Sequence, residues 1–406
     1  MLTRANIAEK PARIDWVMLW ALVGLMVVGV LFIHSARYAT VAGAGVVWFK
    51  QYHIKQIAYY LLGLCALAAM CVIPYQTLTR WAYVAYWASI ILLLLVLIPH
   101  IGAMRFGARR WIDLGFFQLQ PSEIAKIAFI LAMGNFLARP LDELRLVGNF
   151  WKALAMLGLP FALIFVEPDL GSALVLIPTG FVMMYVAGIP AKYLRRFLGG
   201  AALIVVLILV DVLFAPPNWR FKLEDYQRRR LLVYFGMEAK YFAPPNATAA
   251  ELQKARTQER NDSYNVEQAL ISVGSGGLTG KGWRQGTQNV LGYLPRAVAH
   301  NDFIFSVLAE ESGFVGSIVV LSLYAVVLFA GIRIAGQARD RLGRMMAAGV
   351  VTLLFSHMFI NIGMNIRLMP VTGIPLPLLS YGGTSVICTL VAAGLLQNIY
   401  LHRRSY

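Results

Sequence analysis

Apolar runs of membrane-spanning length recur almost end to end in this sequence. They lie near 16–36, 54–74, 77–98, 119–139, 151–167, 170–189, 196–215, 303–332, 346–366 and 378–400, ten in all. A helix needs about 20 apolar residues to cross a hydrocarbon core of about 30 Å, so the pattern predicts ten transmembrane helices. The runs are continuous rather than alternating, which points to helices and away from a β-barrel. Composition agrees: of 406 residues, 59% are hydrophobic and only 14% charged, against about 25% charged in soluble folds. Disordered, collagenous and disulfide-stapled classes are excluded. Cys65, Cys71 and Cys388 all fall inside apolar runs and read as small buried hydrophobes.

The formal charge of +16 would suggest nucleic acid in a soluble protein. In a membrane protein, basic loops face anionic lipid instead, so no nucleic-acid partner is expected. Connections on the side of the two termini carry sixteen Lys and Arg, and the short opposite loops carry six. This places both termini in the cytoplasm. The long connection 215–302, between the seventh and eighth helices, is then extracytoplasmic, since loops above about 60 residues cross largely regardless of charge. The chain reads as a single integral membrane domain over 1–406 containing this loop. Residues 238–262 look like a solvated excursion, whereas 272–302 mix glycine, cations, tryptophan and a terminal carboxylate.

Ionisable residues in or at the mouths of spans are functional candidates, because an unpaired charge in hydrocarbon is disfavoured by several kcal/mol. Glu123 and Lys126 open the fourth span at i, i+3; they form a self-neutralising pair, or Lys126 meets a substrate anion. Asp169, in the turn EPDLG with Glu167, is an N-cap or a site residue. Glu310 and Glu311 lie two to three turns inside the eighth span, so at least one faces the bundle interior. His357, Asn361 and Asn365 are spaced i, i+4 on the ninth span, a pattern for interhelical hydrogen bonds. Asp211, near an outer helix end, is read as snorkelling.

Gly274–Gly282, GSGGLTGKG, fails as a P-loop: Ser275 stands where glycine is required and Gly282 where Ser or Thr is required. What survives is a glycine-rich turn whose N–H groups and Lys281 suit an anion. Asp302, at the end of the polar loop and the start of the eighth span, is either a helix cap or a general base.

Several segments carry a resemblance. Asn361–Ser385, NIGMNIRLMPVTGIPLPLLSYGGTS, resembles the signature of the SEDS proteins (shape, elongation, division and sporulation). ARRWIDLG at 108–115, QPSEIAK at 120–126, EPDLGSA at 167–173, GSGGLTGKGWRQGTQ at 274–288 and DFIFSVLAEESGFVG at 302–316 match in the same order. PVTGIPLPLLSYGG and AEE are similar to the rod-shape-determining RodA branch rather than the division-specific FtsW branch. Where relatives commonly read LPE followed by His-Thr-Asp, this chain reads LPRAVAHND, with Arg296 and Asn301 in the altered places.

The resemblance implies an all-α polytopic SEDS fold related to GT-C glycosyltransferases, in a bacterial cytoplasmic (inner) membrane. It implies a peptidoglycan glycosyltransferase that polymerises lipid II during cell elongation, with the site facing the periplasm. Asp302 matches the family's essential aspartate; Glu123, Lys126 and Asp169 match its further conserved positions. Partners implied are lipid II, a class B penicillin-binding protein, other elongation-machinery proteins and membrane lipids. On this basis Asp302 is the expected base in an inverting single displacement, and Arg109, Arg110, Lys126, Lys281 and Arg284 the expected cations for the leaving diphosphate. No cofactor is read from the residues; a divalent ion, magnesium or manganese, is a candidate to share this task with Asp302, but no ligand set is legible. A lipid II flippase and a non-catalytic elongation scaffold are the alternative functions.

Overall fold

The computed structural model describes residues 14–41, 51–105, 108–115, 117–214, 234–235, 253, 264–295 and 298–403. Most of the 238–262 excursion, and Arg296 of the altered LPRAVAHND approach, lie outside the described residues.

Each of the ten apolar runs contains a helix: α1 (Trp16–Val41), α2 (Tyr52–Val72), α4 (Ala82–Leu97), α5 (Pro121–Leu137), α7 (Val147–Val166), α8 (Leu170–Val186), α9 (Ala191–Phe214), α12 (Ile304–Gln337), α13 (Arg341–Asn365) and α14 (Gly383–His402). Short helices α3 (Tyr75–Arg80), α6 (Leu141–Leu144), α10 (264–275) and α11 (Thr287–Val290) lie between them. Seven, namely α1, α2, α7, α9, α12, α13 and α14, are long and apolar enough to cross a membrane by length and composition. α4 and α8 are shorter apolar helices, and α5 has 17 residues.

Boundaries differ from the sequence expectation where proline and glycine intervene. The last helix begins at Gly383 rather than 378, because Pro375, Pro377 and the Gly382–Gly383 pair keep 370–382 irregular. The run at 151–167, the shortest by sequence, belongs to a 20-residue helix that tolerates Pro160 inside it. The all-α expectation also missed a three-stranded antiparallel sheet between α4 and α5: β1 (Gly102–Arg105), β2 (Ala108–Asp113) and β3 (Gln118–Leu119). Strands this short carry little periodic signal. Cys65 is exposed on the outer surface rather than buried.

α2 packs along α14, where a Cβ at Gly394 would sit 3.0 Å from the Leu67 backbone, a close approach suited to helix association in lipid. α13 packs on α12, α8 and α5, and most of its apolar length is buried, which makes it a central helix. α9 is peripheral, with almost none of its apolar length buried by the rest of the protein.

The two ends of the bundle differ. One is tied by Arg333 to Asp15, by Tyr75 Oη donating to Asp340 (2.6 Å), and by Asn398 donating to the Ile73 carbonyl (2.6 Å). The other gathers the sheet, α10, α11, the 370–382 segment and nearly every site residue inferred from the sequence.

Candidate active site

Asp302 lies in the turn before α12 and is partly exposed. It is not the cap of that helix: Phe303 is, with no side-chain cap bond. Its backbone is held instead, since Asn361 and Asn365 Nδ2 each donate to the Asp302 carbonyl at 3.1 Å. Asn361 also donates to the Ile374 carbonyl at 2.7 Å, and Ser306 Oγ donates to Asn365 at 2.6 Å. The spacing of this polar face on α13 therefore serves interhelical bonding, as its sequence pattern suggests. A Cβ built on Gly373 would lie 3.6 Å from Asp302 Oδ2, an ordinary contact distance, so this glycine stands directly beside the carboxylate.

His300, two residues earlier, is buried between the rings of Tyr52 (4.7 Å) and Tyr381 (5.6 Å). Burial and the Arg37 charge push its pKa down to about 3, so it is neutral and adds no cation. Arg37 itself lies 4.4 Å over the Tyr52 ring. Gln56, fully buried on α2, donates to the Ser380 carbonyl (3.1 Å) and accepts from Gly382 N–H (3.3 Å). It thereby fixes the turn that carries Tyr381. Sequence reasoning missed Arg37, Tyr52, Tyr381 and Gln56; the amide of Gln56 within an apolar run was the available signal.

Asp169 caps α8 by accepting from Ser172 N–H at 3.3 Å, and it also serves the site end. Gln120 Nε2 (3.0 Å) and Ser122 Oγ (3.3 Å) donate to it, and Arg110 approaches at 3.8 Å while donating to the Pro168 carbonyl. A Cβ at Gly171 would stand 3.0 Å from the Thr372 carbonyl, which places the α8 start against the segment leading to Gly373 and Asp302. Glu167 is fully buried, and neither carboxylate oxygen has a hydrogen-bond partner. Burial, aided by Asp169 and opposed by Arg110, pushes its pKa up to about 9, so it is protonated at neutral pH.

Glu123 and Lys126 pair at 2.7 Å, and Lys126 Nζ lies 2.8 Å from His357 Nε2. Lys126 is 1% exposed. Its ammonium is thus enclosed by protein partners and has no open face for direct contact with an anion in this conformation.

The glycine-rich turn docks on α12. Gly313 there has φ 66° and ψ −159°, which interrupts the helix. Phe314 and Val315 N–H donate to the Gly277 and Leu278 carbonyls (2.9 and 3.1 Å), while Lys281 and Gly282 N–H donate to the Glu310 and Glu311 carbonyls (both 3.0 Å). Those N–H groups complete a broken helix instead of converging on an anion. Lys281 pairs with Glu310 at 2.6 Å, and Ser35 Oγ donates to Glu311 at 2.5 Å. Both glutamates are buried, in agreement with the expectation that at least one faces the interior. Arg284 lies 3.2 Å over the Tyr38 ring. The inferred cations therefore divide: Lys281 and Arg284 sit with α1 and α12, Arg110 and Lys126 with α5, α8 and α13. Arg109, on β2, is partly exposed, and Asp211, on α9, is partly exposed. Among the described residues no three His, Cys, Asp or Glu side chains are grouped to hold a metal ion.

A family model described as cell cycle protein, FtsW/RodA/SpoVE, matches residues 16–405. The chain is 36% identical over 392 residues to the peptidoglycan glycosyltransferase MrdB of Escherichia coli K12, covering 97% of this chain and 95% of that one. It is 34% identical over 394 residues to the probable peptidoglycan glycosyltransferase FtsW of Geobacter metallireducens, covering 95% and 94%. A chain from a solved peptidoglycan synthase complex that coordinates polymerization and crosslinking superposes with a TM-score of 0.75 at 28% identity, covering 97% and 99%. The crystal structure of the Thermus thermophilus rod shape determining protein RodA gives 0.63 at 27% identity, covering 96% and 98%. With the family model matching nearly its whole length, this multi-pass membrane protein belongs to the FtsW/RodA/SpoVE family of cell cycle proteins.

Proposed function

We propose that this protein is a peptidoglycan glycosyltransferase that polymerises lipid II. The observation that carries the chemistry is Asp302, a partly exposed carboxylate whose backbone two asparagines hold and whose Oδ2 faces a glycine. The full-length likeness to MrdB supports the substrate class.

Asp302 removes the proton from the 4-hydroxyl of the acceptor sugar. That oxygen attacks the anomeric carbon of the lipid-linked donor, and the bond to the diphosphate breaks with its electron pair going to undecaprenyl diphosphate. An α-linked donor and a β-1,4 product require inversion, hence one displacement without a glycosyl-enzyme intermediate. The leaving diphosphate gains charge, which fixed positive groups stabilise most in a water-poor cleft. Arg109, Arg110, Lys281 and Arg284 supply such groups, and Lys126 contributes field through its buried position. Glu123 and Asp169 hold Lys126 and Arg110 in place. Among the described residues no three His, Cys, Asp or Glu side chains are grouped, and no step here is routed through a divalent ion.

The chain crosses the cytoplasmic membrane ten times, with both termini inside and the Asp302 end outside, in line with the excess of Lys and Arg in the connections on the terminus side. The similarity to a chain of a synthase complex that couples polymerization and crosslinking supports a class B penicillin-binding protein as partner. Purified protein in detergent is expected to elongate lipid II, and Asp302→Ala to abolish polymer while retaining a monodisperse, folded profile. Transport of lipid II across vesicles without polymer identifies a flippase instead, and undiminished function of Asp302→Ala a scaffold.

A further inference from the structure

We infer that His357 is a positioning residue for the transferase reaction, joining the buried Lys126–Glu123 pair to the segment that shapes the Asp302 pocket. Lys126 carries three N–H donors and no acceptor. At 2.8 Å, His357 Nε2 must therefore accept from Lys126, which sets the tautomer and leaves the proton on Nδ1. The other side of the ring is turned to the Pro375 backbone. Proline has no N–H, so the imidazole Nδ1–H is directed at the Pro375 carbonyl.

His357 is thus the first rung of three on one face of α13. It grips Lys126 on α5 and is directed at the Pro375 carbonyl. Asn361, one turn on, grips the Ile374 and Asp302 carbonyls (2.7 and 3.1 Å), and Asn365 grips the Asp302 carbonyl again (3.1 Å). Two adjacent residues, 374 and 375, consequently face two successive rungs, with the Ile374 carbonyl held by Asn361. Gly373, the next residue back, is the one that faces Asp302 Oδ2. All four side chains of the core of this network are nearly sealed: Glu123 4%, Lys126 1%, His357 5% and Asn361 0% exposed. An ammonium so enclosed acts on the reaction through the parts it holds. The imidazole is what connects those parts to the pocket wall.

The role rests on the proposed reaction, so the test separates the two. Steady-state polymerisation of lipid II is measured for wild type, Asp302→Ala, His357→Leu, His357→Gln and His357→Asn in detergent. His357→Leu removes both bonds and is expected to lower kcat about 10- to 100-fold, the scale of a small misplacement of reacting groups, with KM changed less than about threefold. Glutamine can accept from Lys126 and donate to the Pro375 carbonyl, so His357→Gln is expected to recover to within about fivefold of wild type. Asparagine is too short to span both and should stay low. The acid limb of the kcat profile, which reports the base, should move in His357→Leu and return in His357→Gln. Wild-type kcat in His357→Leu, or equal activity of the Gln and Asn variants, overturns the role. The Gln and Asn contrast still decides if the Leu variant fails to fold. A wild type that makes no polymer overturns the proposed function instead; an active wild type, an inactive Asp302→Ala and a fully active His357→Leu overturn only the positioning role.

Discussion

Two lysine–glutamate pairs of nearly equal length occupy opposite kinds of site. Lys126–Glu123 (2.7 Å) is formed within one turn of α5, with both side chains sealed at 1% and 4% exposure. Lys281–Glu310 (2.6 Å) joins a loop to a helix 29 residues away, with the lysine 28% exposed and the glutamate fully buried. The first has only protein around it, so its charges depend on each other and on His357. The second is wet at one end, and Glu310 keeps Gln288 N–H (3.0 Å) and Ser272 Oγ (3.4 Å) as further donors. The inner pair maintains a charge arrangement; the outer pair fastens the glycine-rich turn to the break at Gly313.

Glu167 extends the comparison to an acid with no hydrogen-bonding partner and should show the largest effect. Its folded-state pKa of about 9 lies above the ordinary value of 4.5. Its stabilising contribution is complete below pH 4.5 and is lost as pH rises toward 9, at up to about 1.4 kcal/mol per pH unit. Glu167→Gln keeps the shape without the proton, so its stability relative to wild type should climb across that window in chemical denaturation; a flat difference refutes the assignment.

Next in size, Lys126→Met strands the Glu123 carboxylate in the interior and should cost about 3–5 kcal/mol. The double replacement Glu123→Gln, Lys126→Met should regain most of that stability, measured by thermal unfolding in detergent, yet not polymerase activity. Were the single and double variants equally unstable, packing rather than charge would explain the loss.

At the outer pair, Gly280 has φ 79°, and a Cβ there would overlap the Glu311 carbonyl oxygen. Gly280→Ala should cost about 1–3 kcal/mol and raise protease cleavage within 274–295. The smallest effect belongs to Lys281→Met, about 1–2 kcal/mol, because Glu310 retains two other donors and water reaches the lysine side. A loss there equal to that of Lys126→Met would erase the distinction between the pairs.

The sequence made the local half of this comparison visible. Lys126 follows Glu123 by three residues, and an α-helix brings i and i+3 together whatever surrounds it. Asp169 as a cap and the His357, Asn361, Asn365 spacing were legible for the same reason. The partners across helices were not. Nothing in the linear order places Pro375 on His357, the Asp302 carbonyl on Asn361, or Glu310 on Lys281. The interrupted helix at Gly313 was equally hidden, because the carbonyls that complete it, those of Gly277 and Leu278, come from a turn far back in the chain. Arg37 and Tyr52 escaped notice since an aromatic or basic residue near a span end is ordinary at a membrane interface.

What the chain settles by itself is its solvent. Ten apolar runs and scarce charge commit it to helices in a bilayer, because backbone groups in hydrocarbon must satisfy one another locally. The family motifs add the class of reaction. Only the tertiary structure decides which carboxyl group meets which cation, which keeps a proton, and which lies partly exposed beside a glycine. Those outcomes depend on burial and on donors from distant segments, and neither is a property of the linear order.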